Sequence, residues 1–311
     1  MYKILTSTTN FSQEEWLHYR QQGIGGSDAG AVCGMNPYVS PIKVFFDKTS
    51  VDMESVDNEA MRIGRDLEEY VAKRFTEETG LKVRKKNAIL YDEEYPFMLA
   101  NVDRMIVGEN VGLECKTASP YSADKWKDDE APAHYIIQCH HYMAVTSAKA
   151  WYLAVLIMGK EFKYMRIERD EEIITHLRKI EADFWNENVL KNVMPSPDGS
   201  VIADEVIKRY FSNAVANTSI HLKDEFTEKL QRRDELLKVI DKLSKEQAQI
   251  EQEVKVYMNE NELAQNERYI VSWKNYISNK LDTVKLKQEV PEIYKKYLQS
   301  KTSRRFSIKM A

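Results

Sequence analysis

The stretch Phe97-Met98-Leu99-Ala100-Asn101-Val102-Asp103-Arg104-Met105-Ile106-Val107 runs into a turn at Gly108-Glu109-Asn110 and resumes as Val111-Gly112-Leu113-Glu114-Cys115-Lys116-Thr117. Two apolar runs joined by a Gly-containing turn read as neighbouring strands, Met98 to Val107 and Val111 to Thr117. A hairpin sets Asp103 of the first beside Glu114 of the second, and strand alternation puts Glu114 and Lys116 on one face. Two carboxylates and an ammonium then converge. Hard oxygen ligands of this kind hold Mg2+, which keeps waters and can take phosphate oxygens, while a nearby ammonium can position or help deprotonate an attacking water. The same spacing also describes the charged outer face of an antiparallel strand, and the pattern alone leaves both readings open.

Outward from this pair the text alternates between helix and strand. Phe11 to Gln21 carries cap signals at Asn10 and Ser12, Ile24-Gly25-Gly26-Ser27-Asp28 punctuates it, and a second helix ends before Pro37. Ser55 to Thr79 has a helical period through Met61, Leu67, Val71 and Phe75, with Gly80 as its C-cap. Lys82 to Leu90 reads as a strand. After the hairpin come a helix at His134 to Thr146, a second hairpin of Ala150 to Ile157 and Glu161 to Ile167 turning at Met158-Gly159-Lys160, and a helix from Glu171 to Asn192. This order predicts an α/β core with a mixed central sheet flanked by helices.

Pro195-Ser196-Pro197-Asp198-Gly199-Ser200 marks the strongest boundary. It divides the chain into a domain at 1–194, a linker at 195–222 and a mainly helical extension at 223–311. In the extension, Leu236, Ile240, Leu243, Ile250, Val254 and Tyr257 follow alternating four- and three-residue steps, with Gln247 as the polar member of the seam. That helix either packs on the main body or a returning segment, or serves as a partner-binding arm. Tyr269 to Tyr276 reads as a strand and Leu281 to Tyr297 as a helix.

The chain has 311 residues and a net charge of −4, with a basic stretch from Lys280 to Lys309. Global charge therefore neither favours nor excludes nucleic acid, because phosphate contact needs cations only where the surfaces meet. No segment approaches the ~20 apolar residues of a membrane span, and a cytoplasmic protein is expected. Cys33, Cys115 and Cys139 are too few for a disulfide framework or a four-cysteine cluster. His140 and His141 are adjacent, so on a helix they point about 100° apart and make a poor zinc pair.

The company that the acidic pair keeps resembles one family. Ile24-Gly25-Gly26-Ser27-Asp28-Ala29, Asn36-Pro37-Tyr38, Ser40-Pro41 and Gly64 with Leu67-Glu68 precede it; Ala100-Asn101 with Asp103, and Leu113-Glu114 with Lys116-Thr117, contain it; Tyr135 with Gln138 and Tyr142 to Thr146 follow. In this order, over nearly all of residues 11–192, the chain resembles the YqaJ family of phage recombination exonucleases, related to lambda exonuclease within the PD-(D/E)xK nucleases. Val102 stands where the motif name expects Pro, and His140 and Glu69 stand where many relatives carry Gln and Pro. None of these replaces a ligand.

The resemblance implies a restriction-endonuclease-like core and a Mg2+-dependent 5′-to-3′ exonuclease acting on linear double-stranded DNA, with two ions and Mn2+ able to substitute. It makes Asp103, Glu114 and the Cys115 carbonyl metal ligands, Lys116 the group at the nucleophilic water, Glu68 a ligand or orienter of the second ion, and Gln138 a positioning amide. Arg20 and Ser27 correspond to positions that hold a terminal 5′-phosphate. A guanidinium offers a fork of donors for that task, although Ser27 or Asp28 could equally N-cap the following helix. A homotrimeric ring and a RecT-type single-strand annealing partner are further implications, drawn from the family alone.

Tyr38, Phe45, Trp126 and Trp151 are candidates for stacking on unpaired bases or for the core. Lys295, Lys296, Lys301, Arg304, Arg305 and Lys309 are candidates for DNA backbone contact or for a solvated surface. The rival readings are a related endonuclease, a RecB-like helicase-associated nuclease and a non-catalytic DNA-binding or assembly factor.

Overall fold

A computed structural model describes residues 2–9, 11–50, 58–127, 130–300 and 302–310. Asn10, Ser55 and Lys301, named above, lie outside the described residues. The chain divides into two compact units, the first ending at Ser212 and the second beginning at Asn213.

Cap chemistry sets the helices that open the first unit. After β1 (Lys3–Ser7), Ser12 accepts the N–H of Glu15 and Glu15 reaches back to Ser12, starting α1 (Gln13–Gln21). β2 (Ile24–Gly25) leads into α2 (Gly26–Val32), and Ser40 caps α3 (Pro41–Thr49), whose Pro41 sits in the first turn where its missing N–H costs nothing. Asn58 caps α4 (Glu59–Thr79), and Gly80, at φ 73°, ends it in the left-handed region that glycine adopts without strain.

The strands β3 (Val83–Lys85), β4 (Ala88–Tyr91), β5 (Met98–Ala100), β6 (Arg104–Ile106) and β7 (Val111–Ala118) follow. Beyond a short 3-10 segment at Pro120–Trp126 come α5 (Ala133–Thr146), β8 (Ala150–Ile157), β9 (Glu161–Glu168) and α6 (Glu171–Asp183). Five strands form one sheet in the order β3-β6-β7-β8-β9, with β7 and β8 parallel and every other pair antiparallel. Four form another in the order β1-β4-β5-β2. The expected mixed α/β architecture is present.

Two expected strands each divide between these sheets. Lys82 to Leu90 breaks at Lys86-Asn87, where the Asn87 carbonyl leaves the ladder to accept the Thr8 N–H. Met98 to Val107 breaks at 101–103, where the Asp103 side chain rather than its backbone accepts the N–H of Cys115. The acid is thus placed beside β7 by a side-chain bond at the mouth of the hairpin.

The five-stranded sheet is covered on both faces. Leu113, Ile106, Val111 and Ala154 pack against Val71, Ala72 and Phe75 of α4. On the other face Trp151, Leu153 and Val155 pack against Cys139, Tyr142, Met143 and Val145 of α5. The helix expected from Glu171 to Asn192 is α-helical only to Asp183 and then widens into a π turn at Phe184–Val189, which seats Phe184 against Ile24, Val44 and Phe45.

The stretch 195–222, expected as a linker, contains α7 (Val201–Tyr210), capped by Ser200. Its Ala203 and Val206 bury against Ile42 of α3, and Tyr210 stacks on Phe46 with centroids 3.6 Å apart. Apolar residues at helical spacing drive this docking, so the segment from Val201 to Tyr210 belongs to the first unit. The second unit consists of α8 (Glu225–Met258), a hairpin of β10 (Leu263–Gln265) and β11 (Ile270–Ser272), α9 (Thr283–Glu289) and α10 (Pro291–Tyr297). The single helix expected from Leu281 to Tyr297 is broken at Val290, φ −136°, because Pro291 has no N–H to offer and pushes the preceding residue out of the helical region. Among the described residues no helix is long and apolar enough to cross a membrane.

Gly112 lies beneath the fully buried Trp151, and a Cβ there would meet the indole at 2.2–2.3 Å. Gly112→Ala should cost about 1–3 kcal/mol by overpacking. A lowered first thermal unfolding transition of the full chain is expected, and an unchanged one would show that the indole can move aside.

Candidate active site

β7 carries the chemistry on the face turned toward α5. Its register with β8 pairs Glu114 with Leu153 and Lys116 with Val155. Glu114 is only 3% exposed, yet its two oxygens differ. Oε1 accepts from Lys116 Nζ at 2.6 Å and from Gln138 Nε2 at 2.6 Å. Oε2 is buried without a hydrogen-bond partner. Gln138 is fixed in turn, since its amide nitrogen also donates to the Tyr142 hydroxyl at 2.9 Å.

Asp103 sits at the mouth of β6 with Oδ2 2.8 Å from the Cys115 N–H. Burial first, then the negative charges of Glu114 and Glu68, raise its carboxyl well above the usual carboxylate range, against the pull of Lys116 and the Cys115 amide. Burial works against the Lys116 ammonium, but Glu114 and Asp103 outweigh it and hold the group above its ordinary value. Lys116 is therefore a fixed positive charge near neutral pH, and its Nζ lies 4.9 Å from the centre of the Tyr135 ring.

These residues fit a divalent cation. The unpartnered Glu114 oxygen and the raised Asp103 carboxyl are two faces of one deficit, negative charge without enough positive charge, and both donors are hard oxygens. Among the described residues no three His, Cys, Asp or Glu side chains already form a metal cluster. Glu68, expected near a second ion, is instead hydrogen-bonded to Arg104, a side chain 3% exposed that also reaches Glu69 Oε2 at 3.1 Å and the Asp103 carbonyl at 2.8 Å. His141 is saturated by Glu181 at 2.8 Å and the Leu99 carbonyl at 2.9 Å, and His140 Nδ1 bonds to the Ile136 carbonyl. Burial pushes the Cys33 thiol up to about 12 and those of Cys115 and Cys139 up as well, so the cysteines are poor nucleophiles.

A second cluster forms where α1, α2 and α3 meet. Arg20 Nη2 donates to Ser27 Oγ at 3.3 Å and to Asp28 Oδ1 at 2.8 Å. Lys48 Nζ reaches Asp28 Oδ2 at 2.6 Å and the Arg20 carbonyl at 2.7 Å. The residue that caps α2 is Gly25, and Asp28 returns its carboxylate to the Gly25 N–H at 3.0 Å. Tyr142 connects the two clusters: its ring lies so close to Gly26 that a Cβ there would be 2.5 Å from Cε1, and its hydroxyl meets Gln138.

The structure therefore gathers Asp103, Glu114, Cys115, Lys116 and Gln138 into one centre with Glu68 on its flank, and sets Arg20 beside Ser27. Of the aromatic candidates, Phe45, Trp126 and Trp151 are buried, while Tyr38 is 62% exposed with Lys125 Nζ 5.9 Å above its ring. Sequence reasoning missed Lys48 and Arg104. Arg104 stood in plain view as the one cation inside an apolar strand, next to Asp103; Lys48 gave no local signal.

Residues 15–149 match the family model described as the YqaJ-like viral recombinase domain. The uncharacterized protein YqaJ of Bacillus subtilis (strain 168) is 40% identical over 310 residues, spanning 99% of this chain and 97% of that protein. Among solved structures, an alkaline exonuclease, LHK-Exo, from Laribacter hongkongensis aligns over 58% of this chain and 94% of its own, at 22% identity and a TM-score of 0.50. A phage related exonuclease from Haemophilus somnus 129PT aligns over 57% of this chain and 99% of its own, at 12% identity and a TM-score of 0.43. The core is the restriction-endonuclease-like α/β fold that the family resemblance implied. With a full-length relative at 40% identity, the chain belongs to the YqaJ family.

Proposed function

We propose that this protein is a metal-dependent deoxyribonuclease that digests linear double-stranded DNA from a 5′ end, releasing mononucleotides and leaving a 3′ single strand. The observation that carries this reading is the buried Glu114 carboxylate, held on one oxygen by Lys116 and Gln138 and open on the other beside Asp103. Glu181 also has a buried unpartnered oxygen, but its neighbour is His141; what sets Glu114 apart is a second buried carboxyl, Asp103, which its charge helps to raise. The alkaline exonuclease activity named for LHK-Exo supports the same reading.

Asp103, Glu114 and the Cys115 carbonyl are the groups to hold Mg2+, with Mn2+ as a substitute, and Glu68 is the group to orient a second ion directly or through water. Bound there, the metal supplies Lewis acidity that lowers the pKa of water and neutralises charge on the phosphate and the departing 3′ oxygen. Lys116 places a fixed positive charge where the attacking oxygen and the phosphorane charge develop. Gln138 keeps Glu114 from rotating, so that its free oxygen stays presented. Arg20 and Ser27 are the anchor for a terminal 5′-phosphate, which gives the digestion its direction. Double-stranded DNA ends are thus the substrate, and a trimeric ring with a RecT-type annealing partner is the assembly that family analogy supplies.

A linear duplex with one 5′-phosphate and one 5′-hydroxyl end tests this reading, with Mg2+ or EDTA and a closed circle as control. Nucleotides should be lost from the phosphorylated end in Mg2+ alone, and Lys116→Ala should reduce the rate by at least about 100-fold. Cutting of the circle would favour an endonuclease, and no metal-dependent cleavage would favour the binding factor. Gln138→Leu removes one of the two donors to Glu114 and should lower kcat by about 10- to 100-fold with little change in KM; a change confined to KM would place Gln138 in DNA binding instead.

A further inference from the structure

The cluster between α1, α2 and α3 contains one cation more than a phosphate anchor needs. Arg20 and Ser27 suffice to bind an anion, yet Lys48 is folded inward with its side chain 2% exposed, away from any solvent-borne phosphate. A lone buried ammonium is costly, and burial does lower its proton affinity, with Asp28 opposing. What Lys48 gains is a bond to Asp28 Oδ2 at 2.6 Å and one to the Arg20 backbone carbonyl at 2.7 Å. It therefore ties the end of α1 to the carboxylate that holds the Arg20 head.

Asp28 is the reason such a tie is needed. Its Oδ1 lies 2.8 Å from Arg20 Nη2, the same nitrogen that reaches Ser27. A carboxylate this close orients a guanidinium but also cancels its charge, and a neutral Arg–Asp pair is a poor receiver for a phosphate. Lys48 supplies the missing charge. Two cations against one carboxylate leave a net of +1, since the nearby Asp47 is taken by Lys43. Burial works to raise the Asp28 carboxyl, but Lys48 and Arg20 together overcome it and keep the group ionised far below the usual range. The Arg20 side chain itself remains 39% exposed, and its bonds to Ser27 and Asp28 both leave from Nη2.

We propose that Lys48 is a positioning residue that acts through Asp28, neutralising this carboxylate so that Arg20 is both aimed and left positively charged for a terminal 5′-phosphate. The inference rests on the reading of Arg20 and Ser27 as the phosphate anchor. It goes beyond that reading by assigning the specificity for phosphorylated ends to a buried residue that touches no DNA.

Equilibrium binding of the full chain to labelled duplexes ending in a 5′-phosphate or a 5′-hydroxyl, without catalysis in EDTA, tests it. The readout is the ratio of the two dissociation constants, which a general loss of folded protein would leave unmoved. Wild type and the control Lys73→Met, at an exposed lysine of α4 paired with Glu77, should prefer the phosphorylated end, and Arg20→Ala should abolish the preference. Lys48→Met, with Lys48→Gln as the variant better tolerated at a polar buried site, should reduce it about tenfold. In an Asp28→Asn background, where no carboxylate needs neutralising, the same Lys48 substitution should change it less than about twofold. If Arg20→Ala abolishes the preference while the Lys48 variants keep it, or if the Lys48 effect persists undiminished in the Asp28→Asn background, the role of Lys48 is overturned and the anchor stands. If wild type shows no preference, the anchor itself falls and this inference with it.

Discussion

Glu114 cannot be moved without disturbing what surrounds it. Its backbone lies in β7, paired with β8 along the full length of both strands, and its side chain is enclosed by α5. One oxygen is bonded twice and the other not at all. A buried carboxylate left half unsatisfied opposes folding, so the surrounding layers must hold it against that cost. They do so with the apolar packing of α4 on one face and α5 on the other, anchored by Phe75, Trp151 and Met143. The stable sandwich is what allows an unstable centre.

The same constraint links the two polar clusters. Tyr142 packs under Gly26 at the start of α2, and its hydroxyl accepts from Gln138, which fixes Glu114. The distance between the Arg20 cluster and the acidic centre is thereby set by one aromatic side chain and a glycine that tolerates its approach. In the proposed reaction that spacing becomes the length from the terminal phosphate to the bond that is cut. Arg104 is the counterpart on the other flank, holding Glu68 beside Asp103 and tying both to β6.

Much of this was legible in the sequence because it is local. Asp103 immediately precedes β6 and Glu114 and Lys116 lie on β7, the next strand, where strand alternation alone places the last two on one face. Capping at Ser12 and Gly80 and the glycine turn before β7 are likewise written in neighbouring residues. What was not legible depends on contacts distant in the chain. The division of Met98 to Val107 between two sheets follows from a side-chain bond between Asp103 and Cys115, twelve positions away. α7 was hidden because Pro and Gly before it signal a boundary, whereas its docking needs Ile42 and Phe46 of α3. Lys48 looks like an ordinary helix-end cation until the fold buries it against Asp28.

Anomalous diffraction from crystals of the full chain grown with Mn2+ is the most direct test of the central claim, that the open oxygen of Glu114 and the carboxyl of Asp103 together hold a divalent cation. A strong anomalous peak within bonding distance of Glu114 Oε2 and Asp103 is predicted. Density only at surface carboxylates, or a water or protein donor completing Glu114 in the presence of saturating Mn2+, would contradict it.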